Sequence, residues 1–301
     1  MAVSTSLRRS GARTRLPAPA RRARRRGRWP LTTLLAVAWL VGISVAAVVA
    51  PLLPLPDPAT QDLLARLQPP AGFGGTLAHP LGTDQLGRDL ASRILAGTRV
   101  SLALALAGVV ISAVVGTILG IVAGYRRGLL DQAISVLIDV QLAVPFIVLA
   151  LVALTLFGTG LVVLIILLGL SGWEQYARIA RANTLRLRNE LFVVAARAVG
   201  ASPARILLRH ILPNEVAPLL VLMTLHLTSL VLLESSLSFL GIGVQPPTPS
   251  LGNILGDARN YLQIAWWLPV FPGAVLLAIT LSFNEVGDWL RDVTDPTTRR
   301  W

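Results

Sequence analysis

Apolar residues run along this chain in long unbroken stretches separated by short polar ones, and the run lengths predict membrane-spanning helices. Residues 31–50 suffice to cross a bilayer at 1.5 Å per residue. A cleaved signal peptide also follows arginines, but its apolar core is shorter, about 7 to 15 residues, so a retained first span is favoured. Residues 51–80 hold seven prolines and predict an irregular exposed loop. Leu86, Leu90 and Ile94 then share one face of a short helix, expected to lie in the membrane interface before the second span, residues 100–123. In and just after that span Gly116, Gly120 and Gly124 recur every four residues, a stripe against which another helix can pack closely. Residues 140–173 carry no charge; as one helix they would be about 51 Å long, so two passes are required, reversing at Gly158-Thr159-Gly160. A fifth span over residues 216–233, extended toward 240, contains Glu234, and a sixth over 261–284 is softened by Pro269 and Pro272. Residues 241–260 form the loop between them.

The longest polar interruption in the second half is residues 194–214. Gly200 follows good helix formers and suits a left-handed C-terminal cap, while Ser202 and Pro203 supply an N-cap oxygen and a fixed φ for a new helix. Pro213 is expected to stop that helix after about ten residues. The pattern is a helix, a tight turn and a second helix too short to cross a bilayer. Arg197, Arg205 and Arg209 lie on its exposed face, and Ile206, Leu207, Ile211 and Leu212 are available for packing. Such an element suits docking between a membrane domain and a soluble partner.

Composition agrees with the run lengths: of 301 residues, 54% are hydrophobic and 14% charged. All 27 basic residues are Arg, a bias that GC-rich coding produces by itself. Without Lys the chain cannot contain a standard P-loop, so any ATP hydrolysis must come from another subunit. Without Cys it has no disulfide, thiolate metal site or cysteine nucleophile. His79, His210 and His226 form no sequence motif and read as structural. Zinc and aspartyl intramembrane proteases need a His-Glu-x-x-His or paired in-span Asp motif, and neither is present. A pore without energy coupling would not need the helix-turn-helix loop.

Ten arginines and no acid fall in residues 1–28, directly before Trp29 and the first span. A cytoplasmic tail on an anionic leaflet fits that position better than a nucleic-acid arm. With both termini cytoplasmic, 22 arginines lie inside and five outside (Arg66, Arg88, Arg93, Arg99 and Arg259), as the positive-inside rule asks of six spans. Glu234 and Asp139, acids within spans, are candidate pathway or helix-pairing residues. Asp288 and Asp292 read as a solvated cap, and Trp266 and Trp267 as an interfacial belt.

The polar interruption, with Ala195-Ala196, Gly200 and Leu212-Pro213, resembles the cytoplasmic loop of ABC importer permeases. His79-Pro80-Leu81-Gly82-Thr83-Asp84, Leu86-Gly87-Arg88-Asp89, Tyr176-Ala177-Arg178, Leu237-Ser238-Phe239-Leu240-Gly241 and Gln245-Pro246-Pro247 narrow the resemblance to the dipeptide, oligopeptide and nickel subfamily, in its second-permease branch. It covers about residues 30–298. Where the family's loop begins with Glu this chain has Val194, and Arg126-Arg127 replaces a Gly-Gly. The resemblance implies an all-α polytopic fold of six transmembrane helices, the type I ABC importer permease fold. Its parts would be a basic tail (1–29), a first helix and extracytoplasmic loop (30–95), a permease domain (96–292) with a coupling loop at 182–213, and a C-terminal tail (293–301). The coupling residues it implies are Ala195, Ala196, Arg197, Gly200, Ala201, Ser202, Arg205, Arg209, Leu212 and Pro213. It further implies a bacterial plasma-membrane complex with a homologous second permease, two ATPase subunits that use ATP and Mg, and an extracytoplasmic solute-binding protein. No cofactor is expected on this chain. Peptides are the expected solute, with glutathione or nickel as alternatives.

Overall fold

A computed structural model describes residues 30–294. The arginine-rich tail, Trp29 and the last residues, from Asp295, lie outside the described residues. Eleven helices follow in order: α1 Leu31–Val49, α2 Leu90–Arg126, α3 Leu129–Ala143, α4 Phe146–Phe157, α5 Leu161–Leu170, α6 Trp173–Leu187, α7 Leu191–Ala198, α8 Pro203–Ile206, α9 Leu212–Phe239, α10 Leu251–Ala258 and α11 Trp267–Thr294. Five spans are long and apolar enough to cross a membrane, and a sixth is reached when α3 and α4 count as one bent crossing.

The axis of the bundle is α2, which packs against α5, α6, α9 and α1. The glycine stripe explains its closest contact: a Cβ at Gly116 or Gly120 would run into the carbonyl oxygens of Trp173 or Ala177 on α6, and at Gly124 it would come within 2.8 Å of Arg181 O. Ala105, Leu168, Leu230 and Val231 are fully or almost fully buried around that axis. α1 lies against α11, where Thr32 and Thr33 donate hydrogen bonds to Glu285 Oε1 at 2.6 and 2.9 Å. The outward faces of α1 and α4 stay apolar and open, with Val48 65% and Leu156 73% exposed, a surface suited to hydrocarbon or to another helix.

Several sequence expectations are corrected. The interfacial helix expected around Leu86–Ile94 is instead the start of the 37-residue α2: Asp89 caps it by accepting from Ser92 N at 2.8 Å, and Leu90 and Ile94 are buried. The third span is bent by 89° between α3 and α4. Pro145 lacks an N–H and forces Val144 into extended backbone, a break that uncharged neighbours conceal. Beyond Arg178, which is exposed, α6 continues to Leu187 with Tyr176, Ala177 and Ala180 buried against the bundle.

Pro213 does not end a helix either. A π-helical turn at Leu207–Ile211 lets Leu212 N bond Leu207 O, five residues back, so Pro213 falls in the opening turn of α9, where a missing N–H costs little. The expected loop over residues 241–260 holds α10, which starts with a capping box between Ser250 and Asn253. Of the two tryptophans assigned to a membrane belt, Trp266 is half exposed and sits edge-on to Phe73. Trp267 is buried and donates to Thr83 O at 3.2 Å, so its indole anchors a loop.

Candidate functional site

The hook from Leu191 to Ile211 is built by local bonds. α7 ends in a Schellman motif: Gly200 adopts φ +86°, its N–H bonds Arg197 O, and Ala201 N bonds Ala196 O, both at 3.0 Å. One residue later Ser202 Oγ accepts from Arg205 N at 3.4 Å with Pro203 in the first position of α8, so the chain reverses over three residues. A Cβ on Gly200 would meet nothing within 4 Å, so this residue is set by its backbone angle and by the open space in front of it.

Val193, Ile206 and Ile211 close against Leu187 in a small cluster of their own, flanked by Tyr125 and Leu207. Arg188 fastens that cluster to the end of α2 by donating to Tyr125 O at 3.1 Å. Packing in this way turns the other faces outward. Ala195, Arg197, Ser202, Arg205, Arg209 and Pro213 are exposed, while Ala196, Ala201 and Leu212 are half-buried. The exposed apolar residues Val199 (89%) and Leu208 (68%) stand among the three arginines. The hook therefore presents a mixed cationic and apolar surface on rigid short helices. Among the described residues no three of His, Asp and Glu are grouped to hold a metal.

The two in-span acids are unlike each other. Glu234 is fully buried near the end of α9, accepting from Ser238 Oγ at 2.7 Å, and Ser238 Oγ in turn accepts from Val244 N at 3.0 Å. Its other carboxylate oxygen has no partner among the described residues. Asp139 is exposed on α3.

Three buried polar contacts escaped the sequence reading. Glu215 is fully buried and accepts from Asn183 Nδ2 at 3.0 Å. It lies between Pro213 and Val216, where a span expected to begin at 216 leaves it outside. Tyr176 OH stands 3.1 Å from His226 Nδ1, joining α6 to α9 beside Gly172, where a Cβ would strike the imidazole. Ser112 Oγ lies 2.8 Å from Gly169 O and 2.6 Å from Ser171 O, covering carbonyls exposed where α5 breaks from α6. A serine inside a glycine-striped span was the available signal.

A bundle of bent and continuous membrane helices with a short capped hook at one end is the architecture of type I ABC importer permeases. The chain superposes on a chain of the MetNI methionine ABC transporter in an inward-facing conformation with a TM-score of 0.54 at 20% identity, covering 68% of this chain and 98% of that one. It also superposes on a chain of an amino acid ABC transporter with a TM-score of 0.50 at 16% identity, over 67% and 94%. Residues 116–300 match the family of binding-protein-dependent transport system inner membrane components, and the chain belongs to that family. It is 38% identical over 268 residues to the dipeptide transport system permease protein DppC of Haemophilus influenzae, covering 89% of this chain and 91% of that protein. It is 40% identical to the di/tripeptide permease DppC of Pseudomonas aeruginosa, over 84% of each. With the glutathione transport system permease protein GsiD of Escherichia coli it shares 43% identity over 74% of each. The chain is thus a multi-pass membrane permease subunit of the ABC importer class.

Proposed function

We propose that this subunit forms half of a peptide pathway in a bacterial plasma membrane and is driven through its hook by separate cytoplasmic ATPases. The capped reversal at Gly200 carries the reading. It displays Arg197 and Val199 on and just after the eight-residue α7, and Arg205 and Leu208 at the start of the helical member that runs on into α9, elements stiff enough to transmit a push. The missing P-loop lysine assigns ATP and Mg to the partner subunits. A second permease completes the pathway, an extracytoplasmic binding protein delivers the solute, and both termini lie in the cytoplasm with the hook. Closure of the ATPases would swing the hook and switch the bundle between inward- and outward-facing states. Glu234 acts here as a pairing residue that holds the loop after α9, and Asp139 meets a neighbouring subunit. Dipeptides and short peptides are the solutes best supported by the DppC relatives.

Gly200→Trp tests the reading. The expected outcome is a chain that inserts and assembles while ATP-dependent peptide uptake falls to background; uptake at the normal rate would overturn it. Glutathione is the second reading, favoured by the GsiD relatives. Calorimetry with the cognate binding protein separates the two, since a glutathione system would bind that thiol tripeptide in preference to unmodified dipeptides.

A further inference from the structure

At the end of the bundle opposite the hook, a cavity of about 350 Å³ opens where α1 gives way to the proline-rich loop and rests on the first turns of α2. Its walls are of two kinds. Ala47, Leu53 and Ala96 are apolar, whereas Ser92, Asp57 and Arg99 bring a hydroxyl, a carboxylate and a guanidinium. Arg99 is exposed, and no carboxylate among the described residues lies within ion-pair distance of it. Arg88 and Arg93, which precede it on the same side, are both ion-paired, to Asp84 and Asp257. Asp57 is also exposed; Oδ1 accepts from Ala59 N at 2.7 Å, which fixes the carboxylate and leaves its second oxygen available.

Depth gives this pair its meaning. Arg99 is the last charge before the 24 uncharged residues 100–123 of α2, and α1 ends at Val49 on the opposite wall. The cavity therefore straddles the hydrocarbon boundary, with a lone cation at its edge, an anion on the watery side and apolar walls descending toward the bilayer. A cation left at that depth calls for an anion, and the surrounding medium supplies phosphates at that level.

We propose that the cavity is a binding site for a zwitterionic phospholipid carrying a primary ammonium, of the phosphatidylethanolamine class. The phosphate sits on Arg99, the ammonium on Asp57, and the upper part of an acyl chain lies along Leu53 and Ala96. The volume matches about a dozen waters, room for a headgroup but not for a folded partner segment.

Native mass spectrometry of the full chain, released from mild detergent with added phosphatidylethanolamine or phosphatidylglycerol, tests the assignment. Wild type should retain the ethanolamine lipid about tenfold better than the glycerol lipid, the size of one charge-assisted hydrogen bond. Asp57→Asn, in an exposed loop, should abolish that preference while leaving glycerol-lipid binding unchanged. Arg99→Gln should weaken both lipids, and Arg99→Lys should restore them. Equal retention of the two lipids by wild type would overturn the proposal, as would an unchanged preference in Asp57→Asn. Displacement of the lipid by free glycerophosphoethanolamine or by a dipeptide would also overturn it, by showing that the occupant is a soluble zwitterion. Should Arg99→Gln fail to insert, the wild-type preference and the Asp57→Asn comparison still decide.

Discussion

The two ends of the bundle are held by different physics. At the Asp84 end, bonds join segments far apart in sequence: Asp84 pairs with Arg88 and Arg93, and both arginines reach Asp257 on α10 at 3.5 and 3.3 Å. Thr83 Oγ1 accepts from Gln68 N at 2.8 Å, while its carbonyl takes the Trp267 indole from α11. At the hook end almost every bond is local, and one four-residue apolar cluster with the Arg188 contact to Tyr125 O is what fastens it. The first arrangement makes a proline-rich loop into a fixed cap. The second leaves a stiff element attached at its base, with its bonding capacity turned outward.

That contrast can be broken most severely at Asp84. Asp84→Ala leaves Arg93, 4% exposed, and Arg88, 9% exposed, with only the half-open Asp257, and losing one partner of a buried pair costs about 3–5 kcal/mol. The purified variant should unfold in detergent well below wild type, and its loop over residues 51–89 should become protease-sensitive; wild-type thermal stability would show that the cap does not depend on the ion pairs. Ile206→Ala should come next, removing a buried side chain from the small cluster at about 2–4 kcal/mol. Because the hook is a separate cluster, hydrogen exchange should rise there and not in α2 or α9. Trp267→Phe deletes one hydrogen bond to Thr83 and should lower stability by about 1 kcal/mol, read by thermal unfolding. Arg209→Ala, on the exposed face, should shift stability by no more than about 0.5 kcal/mol while lowering transport-coupled ATPase activity; unchanged coupling would place Arg209 outside the docking surface.

Where a structural device is local, the sequence displayed it. Gly200, Ser202 and Pro203 announce a cap and a restart within four residues, and the glycines at 116, 120 and 124 announce a close helix contact though not with which helix. Devices that depend on a distant partner were hidden. Trp267 looks like a belt residue until Thr83 is brought beneath it, and Glu215 looks solvated until Asn183 on α6 covers it. Prolines misled in both directions. Pro213 suggested a stop but is absorbed by the π turn before it, whereas Pro145 was passed over in an apolar run although it bends the third span by 89°. In each case the local rule holds and the neighbouring backbone decides its outcome.

Through that π turn, α8 and α9 become one member from Pro203 to Phe239, about 55 Å long at helical rise. It begins at the hook, crosses beside the Tyr176–His226 pair and finishes at the serines around Glu234. Such a member behaves as a see-saw with unequal arms: a tilt of ~10° about His226 would carry the hook tip by ~6 Å and the far tip by ~3 Å, in opposite directions. A displacement applied at one surface of the membrane would then arrive at the other without any signal passing from residue to residue.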